Sequence, residues 1–226
     1  MYENIEILTK DEHKDKGIKT ISNYDYAKDV TTTLVLINEY YQACKDYPIV
    51  FVKEDDEWKS LVVMGLDGSN DFVNKDGEWS KNCYIPAFIR RYPFIYVSHE
   101  DELLLASDSS AIIDANKSGD KKFFDKDGEP TEFVKDVLNY MNEFQLFSEK
   151  SKSFIEKLDK LGVLEPANIT RNLNGKEKNI GGFWIVSEEK LSDLKSKDKT
   201  ALCKENLYQP ITAHLISLSN VKKLSI

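Results

Sequence analysis

Apolar positions along the chain fall into a few clear periods. Val30, Leu34, Ile37, Tyr41 and Cys44 recur at spacings of three and four, which predicts one face of a helix. Asp29 stands where an N-cap is needed, and Tyr47-Pro48 where the helix must stop. The uninterrupted run Ile49–Val52 predicts a buried strand and Trp58–Met64 a second, with the acidic Glu54-Asp55-Asp56-Glu57 as a solvated hairpin loop. Phe94–Val97 and Leu103–Ala106 are further strand candidates. After Pro130, Phe133, Val137, Tyr140, Met141 and Phe144 mark a long helix, resumed at Ile155, Leu158 and Leu161. The disturbed interval predicts a break near Ser148–Ser151, and Gly162 a terminus.

Ala167–Leu173 and Ile180–Val186 flank Asn174-Gly175-Lys176-Glu177-Lys178, a hairpin signal. A short helix over Glu188–Leu194, a Lys/Asp linker at 195–199 and a closing helix bearing Leu207, Ile211, Leu215 and Leu218 complete the chain. Residues 1–28 are mixed in character and predict an extended, loosely packed segment ahead of a single domain, 29–226. There is no regular βαβ alternation. The predicted class is therefore α+β, a mainly antiparallel sheet packed with a long central helix and a C-terminal helix.

Two short segments resemble each other at a separation of 51 residues: Phe72-Val73-Asn74-Lys75-Asp76-Gly77-Glu78 and Phe123-Phe124-Asp125-Lys126-Asp127-Gly128-Glu129. Both run into Asp-Gly, the dipeptide that supplies a positive-φ turn. The similarity does not carry into the flanking residues, so the expectation is one turn chemistry used twice, without a true repeat. A calcium loop fails at both places. With glycine at its sixth position the loop would begin on Phe72 or Phe123 and end on Cys83 or Val134, none with a ligand oxygen.

Composition narrows the function classes. The 226 residues carry a net charge of −8, which works against nucleic acid and against anionic membrane surfaces. No stretch approaches the ~18 apolar residues of a membrane span. Met1–Lys16 lack the basic start and apolar centre of a secretory signal. A cytoplasmic location is expected on that ground, with export by a route needing no amino-terminal signal left open. The three cysteines, Cys44, Cys83 and Cys203, are odd in number and far apart, as reduced thiols are. His13, His99 and His214 are isolated from them, so no metal site is expected. There is no phosphate-cradling glycine loop and no G-x-S-x-G elbow, and no cofactor is expected.

The most distinctive stretch is Tyr84-Ile85-Pro86-Ala87-Phe88-Ile89-Arg90-Arg91-Tyr92-Pro93-Phe94. It holds two of the three arginines of the chain, framed by two prolines and four aromatics. Two readings stand. Arg90 and Arg91, with Trp79, Tyr84 and Tyr92, form a clamp for a carboxylate or a peptide. Alternatively, Pro86 starts a one-turn helix, Pro93 ends it, and the arginines pin neighbouring carbonyls or acids. Cys83 has Lys81 and Arg90 close in sequence, a setting that would lower a thiol pKa, although a packed cysteine is the plainer reading. His214 lies among apolar positions of the last helix, where a hydrogen-bonded or half-exposed histidine is the default.

Several landmarks together resemble one known family. They are Tyr47-Pro48-Ile49-Val50-Phe51, Met64-Gly65-Leu66, Asn70-Asp71-Phe72-Val73, Asp76-Gly77-Glu78-Trp79 and the run Tyr84–Phe94. Phe124–Pro130, Gly182-Phe183-Trp184-Ile185-Val186 and Ala213-His214-Leu215-Ile216-Ser217-Leu218 follow in order. Across roughly residues 24–224 the chain resembles the SapC family of bacterial proteins. The resemblance implies an association with the surface (S-) layer of Campylobacter-type bacteria, and it brings no catalytic residues with it. The expected function is a non-enzymatic factor that binds a protein or peptide, an S-layer protein among the candidates, in S-layer biogenesis or export. The partner contact would centre on Trp79, Tyr84, Arg90, Arg91 and Tyr92. One rival is a peptide-modifying enzyme or its accessory subunit, with Cys83, His99 or His214 in a pocket near the arginines. Another is a structural component of the S-layer lattice.

Overall fold

The computed structural model describes residues 1–100, 102–115, 117, 119–173 and 176–224. Eleven strands are described: β1 (Ile5–Ile7), β2 (Lys16–Ile18), β3 (Thr32–Leu34), β4 (Ile49–Glu54), β5 (Glu57–Val63), β6 (Phe94–His99), β7 (Glu102–Asp108), β8 (Ile112–Asp114), β9 (Lys121–Lys122), β10 (Leu164–Leu173) and β11 (Lys176–Val186). The α-helices are α1 (Lys10–His13), α2 (Tyr40–Ala43), α3 (Ala87–Arg90), α4 (Glu132–Lys160), α5 (Glu188–Ser192), α6 (Ser196–Lys204) and α7 (Tyr208–Ser217). The strands form three antiparallel sheets, ordered β10-β11-β4-β5-β3, β1-β7-β6 and β8-β2-β9. The class is α+β, with a long central helix and a C-terminal helix, as the pattern predicts.

Strands β4 and β5 form where the apolar run stands, and Ile49, Val50, Phe51 and Val52 are all buried. Their two-residue turn is made by Asp55 and Asp56, at φ 49° and 63°, the left-handed pair that matches strand twist. The C-terminal hairpin is also present and longer than expected. Asn174 and Gly175, the centre of its predicted turn, lie outside the described residues.

The predicted helix from Asp29 is largely a strand. Thr32–Leu34 pair with Leu61–Val63, and helical structure begins only with a 3-10 turn at Ile37–Glu39 that runs into α2. The β-branched run Thr31-Thr32-Thr33 loses side-chain freedom in a helix and fits a pleated surface. The spacing of three and four spanned two different elements, and Tyr41 in fact points to solvent.

The long helix is unbroken through Ser148–Ser151. Ser151 lies on its buried face, where its Oγ donates to Phe147 O (2.7 Å) and accepts from Ile37 N (2.8 Å). A polar residue thus occupies an apolar position, bonded on both sides, and the helix is not interrupted. Thr131 caps the start. At the other end Gly162, at φ 69°, donates to Asp159 O while Val163 N donates to Leu158 O, a Schellman closure. The stretch 195–199 is mostly the start of α6, not a linker; Leu202, fully buried, anchors that helix alone. Residues 1–28 are not loosely packed. They supply β1 and β2 to two sheets, and His13, Ile18 and Ala27 are buried. Alternation in Ile5-Glu6-Ile7 is a period-two signal too short to separate from mixed sequence.

The structure also overturns the expectation that no true repeat exists. Tyr47–Val63 and Tyr92–Asp108 are the same unit, displaced by 45 residues (92 − 47). Each has a Tyr-Pro start and a six-residue strand, with a seven-residue strand beginning after two further residues. Each is completed by a three-residue strand from earlier in the chain, β3 on β5 and β1 on β7. Hydrogen bonds correspond one for one. Val63 N donates to Pro48 O (3.0 Å) as Asp108 N does to Pro93 O (2.9 Å). Met64 N donates to Thr31 O as Ser109 N does to Asn4 O, both at 2.7 Å. Val35 N donates to Ser60 O as Leu8 N does to Leu105 O. The Asp-Gly turns then follow, and they too match: Asn74 Oδ1 accepts from Asp76 N and Glu78 N, and Asp125 Oδ1 from Asp127 N and Glu129 N, all at 2.9 Å. Six more residues lie between hairpin and turn in the second unit (51 − 45), so no single spacing aligns both landmarks.

Candidate functional site: an apolar cleft walled by arginines

The second unit begins at the Arg/aromatic run. Pro86 precedes the single turn of α3, where its fixed φ suits a helix start. Arg90 N and Arg91 N donate back to Pro86 O and Ala87 O, both at 3.0 Å. A buried carboxylate that sequence reading missed holds this turn. Glu39 Oε1 accepts from Ala87 N (2.7 Å) and from the Tyr84 hydroxyl (2.7 Å), and Oε2 from Leu36 N (2.8 Å). Burial raises the Glu39 pKa, against the lowering effect of these bonds and of Arg90. Its sequence signal is an acid set among apolar residues, Ile37-Asn38-Glu39-Tyr40.

Arg90 is built as a fork on this base. Its Nε donates to Ile85 O (2.9 Å) and its Nη2 to the Tyr84 hydroxyl (3.1 Å). The guanidinium carbon lies 5.7 Å from the ring centroids of both Tyr84 and Tyr140. Nη2 also lies 3.9 Å from Glu39 Oε1, an ion pair with the buried carboxylate. Of its five N–H groups, two are used in the two hydrogen bonds, and the other three make none among the described residues. The side chain is 43 % exposed.

Arg91 is placed differently. Its guanidinium carbon is 4.0 Å from the Phe88 ring centroid and 4.9 Å from that of Phe144, cation–π distances. Its Nε is sealed from solvent with no hydrogen-bond partner among the described residues. Tyr92 stacks on Tyr26 at 4.1 Å and 15°.

Arg90, Arg91 and Tyr92 line one cleft of about 400 Å³, within the range of ligand pockets. Its apolar lining comes from Ile18, Phe94, Phe133, Val137 and Met141. Lys19 and Lys121 add two further cations, against the single acid Asp136. In a chain of net charge −8 this is a local reversal of sign.

The other two predicted residues lie elsewhere. Tyr84 stands behind Arg90 and lines a separate hollow with Glu39 and Glu143. Trp79 is buried in the main core, where its Nε1 donates to the Tyr47 hydroxyl (3.3 Å) and that hydroxyl to Tyr84 O. It supports the run from within. The residues that sequence reading passed over, Phe133, Val137 and Met141 of α4, carry an ordinary helical period that gives no sign of a cleft.

None of the three groups weighed for catalysis lines this cleft. Burial and the neighbouring Asp46 push the Cys83 pKa up, the reverse of the lowering expected from Lys81 and Arg90. His214 is fully buried, accepts from Val186 N at Nε2 (3.0 Å) and is pushed down to about 4 by burial. His99 lines a broad open depression with His13 and Glu6. Among the described residues no group of three or more His, Cys, Asp or Glu could hold a metal ion, and no helix is long and apolar enough to cross a membrane.

Fold and site together define an α+β protein with a duplicated strand unit, whose second copy carries a cationic, apolar-floored cleft. A family model matches residues 8–224, and the chain belongs to the SapC family. No curated protein and no solved structure matches it.

Proposed function

We propose that this protein is a non-enzymatic binding factor for a protein or peptide in S-layer biogenesis or export. In this reading it grips an apolar residue and an adjacent carboxylate of that partner in the cleft of Arg90 and Arg91. One observation carries the proposal: the Arg90 fork is oriented by Ile85 O, the Tyr84 hydroxyl and the Glu39 carboxylate, yet three of its N–H groups make no hydrogen bond among the described residues, beside an apolar floor. A preoriented guanidinium offers a carboxylate two parallel bonds, and the apolar lining supplies area for the neighbouring side chain. The S-layer setting is what the resemblance to the SapC family implies.

The test is calorimetric titration of the purified chain with peptides spanning the S-layer protein of the same cells. Arg90→Ala is expected to weaken binding at least tenfold, the loss of roughly 1.4 kcal/mol or more that a charged hydrogen bond supplies. Val137→Trp, which fills the cleft without touching the fork, is expected to do the same. Unchanged affinity in both folded variants would remove the proposal. Arg91→Ala is a poor probe, because Arg91 packs on Phe88 and Phe144 and its loss would disturb the fold itself.

A further inference from the structure

The repeated unit differs at its outer edge. In the first unit that edge is filled: Phe51 of β4 pairs with Trp184 of β11, and Ile49 N donates to Ser217 Oγ (2.9 Å). In the second unit no strand lies beyond β6 among the described residues. The phase of the ladder identifies the backbone groups left over. Asp108 N donates to Pro93 O, so Phe94 and Ser107 face each other as a non-hydrogen-bonded pair. Ile95, Val97 and His99 therefore turn their N–H and C=O toward β7, and Phe94, Tyr96 and Ser98 turn theirs outward. Those of Phe94 are satisfied, its N–H by Arg91 O (2.8 Å) and its C=O by the Tyr2 hydroxyl (2.9 Å). Those of Tyr96 and Ser98 have no partner among the described residues. Tyr96 is the counterpart of Phe51 (51 + 45).

Every other described edge is blunted. Strands β1, β3 and β8 have three residues and β9 has two. Strand β10 carries Pro166 and a register shift between Ala167 and Ile169. Such devices keep sheets from pairing with foreign strands. Strand β6 runs six residues, Phe94-Ile95-Tyr96-Val97-Ser98-His99, with no proline, no lysine and no register shift. Beside it on α4, Asn142 Oδ1 accepts from the Tyr96 hydroxyl (2.8 Å), and one turn further Leu146 is exposed.

We propose that the outer edge of β6 takes an extended strand from a partner protein, paired at Tyr96 and Ser98 as β11 pairs at Phe51. Main-chain bonds would supply affinity, and apolar residues at alternate positions would be read against the side chains flanking the edge. A foreign strand is favoured over a second copy, because edge-to-edge dimers would join two chains of net charge −8. The partner segment is accordingly neutral or basic. This surface adjoins the arginine cleft, which Phe94 of the same strand lines, but its pairing groups at Tyr96 and Ser98 are not part of that cleft.

The test uses the full chain and a synthetic peptide copying Gly182–Ser187, the segment that fills the first edge, flanked by lysines. Amide hydrogen exchange is followed by NMR. With peptide at millimolar concentration, exchange at Tyr96 and Ser98 is expected to slow at least tenfold, and Ser98→Pro is expected to abolish the slowing. That substitution removes an outward N–H and leaves the donors facing β7, so protection at Ile95 and Val97 reports that the ladder survives. Unslowed exchange at both amides in the wild type overturns the proposal, whatever the variant does. So does protection of both before peptide is added. A dimer in sedimentation that Ser98→Pro dissolves would give the edge to a second copy and overturn it equally.

Discussion

The two copies of the strand unit share a backbone and differ in almost everything else. In the first, the strands are enclosed: Phe51, Trp58, Val62 and Val63 are all buried, and the sheet continues into β11. In the second, Tyr96 is half-buried, and Leu103, at the place of Trp58, is 56 % exposed. Val63 is replaced by Asp108, whose carboxylate accepts from Ser110 N and Oγ and from Glu3 N. The residues ahead of the Tyr-Pro start diverge as well, Lys45-Asp46 in one and Arg90-Arg91 in the other. One copy holds the molecule together. The other, relieved of that duty, carries the cleft and the open edge. Identical hydrogen-bond ladders therefore specify shape, while burial is decided by what the rest of the chain lays against them.

The largest expected difference lies at the paired positions Phe51 and Tyr96. Phe51 is fully buried, edge-on to Phe154 at 6.4 Å and stacked on His214 at 4.6 Å. Phe51→Ala should cost about 3–5 kcal/mol in urea unfolding, the usual loss for a buried aromatic. Tyr96→Ala should cost about 1–2 kcal/mol, since part of its area is never removed from water. Equal losses would mean that both copies bear the fold alike, and the contrast would fail.

A second difference appears in acid. His214, which belongs to the first unit through Phe51, has its pKa lowered from 6.5 to about 4 by burial. The unfolded chain therefore takes up the proton at higher pH than the folded one does. The stability this neutral histidine confers is whole above pH 6.5 and is lost as pH falls toward 4, by about 3 kcal/mol in all. Asp108 also weakens the fold in acid, in a lower window. Burial works against its charge, but bonds from Ser110 and Glu3 and the nearby amino terminus outweigh it and hold the pKa below the ordinary carboxylate value. Its contribution is present above the ordinary carboxylate pKa and is lost only below it. Unfolding free energies at pH 7 and pH 4.5 should thus differ by about 2–3 kcal/mol in the wild type, and much less in His214→Gln. The same pH loss in both chains would remove His214 from the account.

Much of this architecture can be read from the residues, and the failures have definite causes. Strands β4 and β5, α4 and the two Asp-Gly turns announce themselves because each is local: an apolar run, a period, a dipeptide that needs positive φ. The strand at Thr32–Leu34 was hidden because its pairing with β5 is tertiary, while its apolar spacing happened to suit a helix. Ser151 concealed the continuity of α4 because its polar atoms are satisfied in place. The arginine run was conspicuous by composition, and three of its five proposed contact residues share a cleft. Trp79 was misjudged as surface because an aromatic beside a turn reads alike in the core and on a rim. The repeat itself escaped because six inserted residues shift its landmarks out of step, and because its third strands precede the hairpins at unequal distances.

The smallest test concerns the turns that close the two units. Gly77 and Gly128 adopt φ 76° and 81°, and alanine at either would be strained by roughly 1 kcal/mol. Their surroundings differ. A Cβ on Gly128 would meet the Lys10 side chain, at 2.0 Å from its Cε, but that exposed chain can swing aside at the loss of one bond to Asp127 O. A Cβ on Gly77 would lie 2.8 Å from Asp25 Oδ1 and 3.0 Å from Asn23 Cβ. Those two residues are bonded to each other (2.9 Å), and Tyr24 N between them donates to Gly77 O (2.7 Å), so a whole segment would have to move. Gly77→Ala should therefore lower stability by about 2 kcal/mol and Gly128→Ala by about 1 kcal/mol, read as a larger fall in Tm for the first. Equal falls would show that backbone strain alone sets the loss, and that the first unit is no more tightly enclosed at its turn than the second.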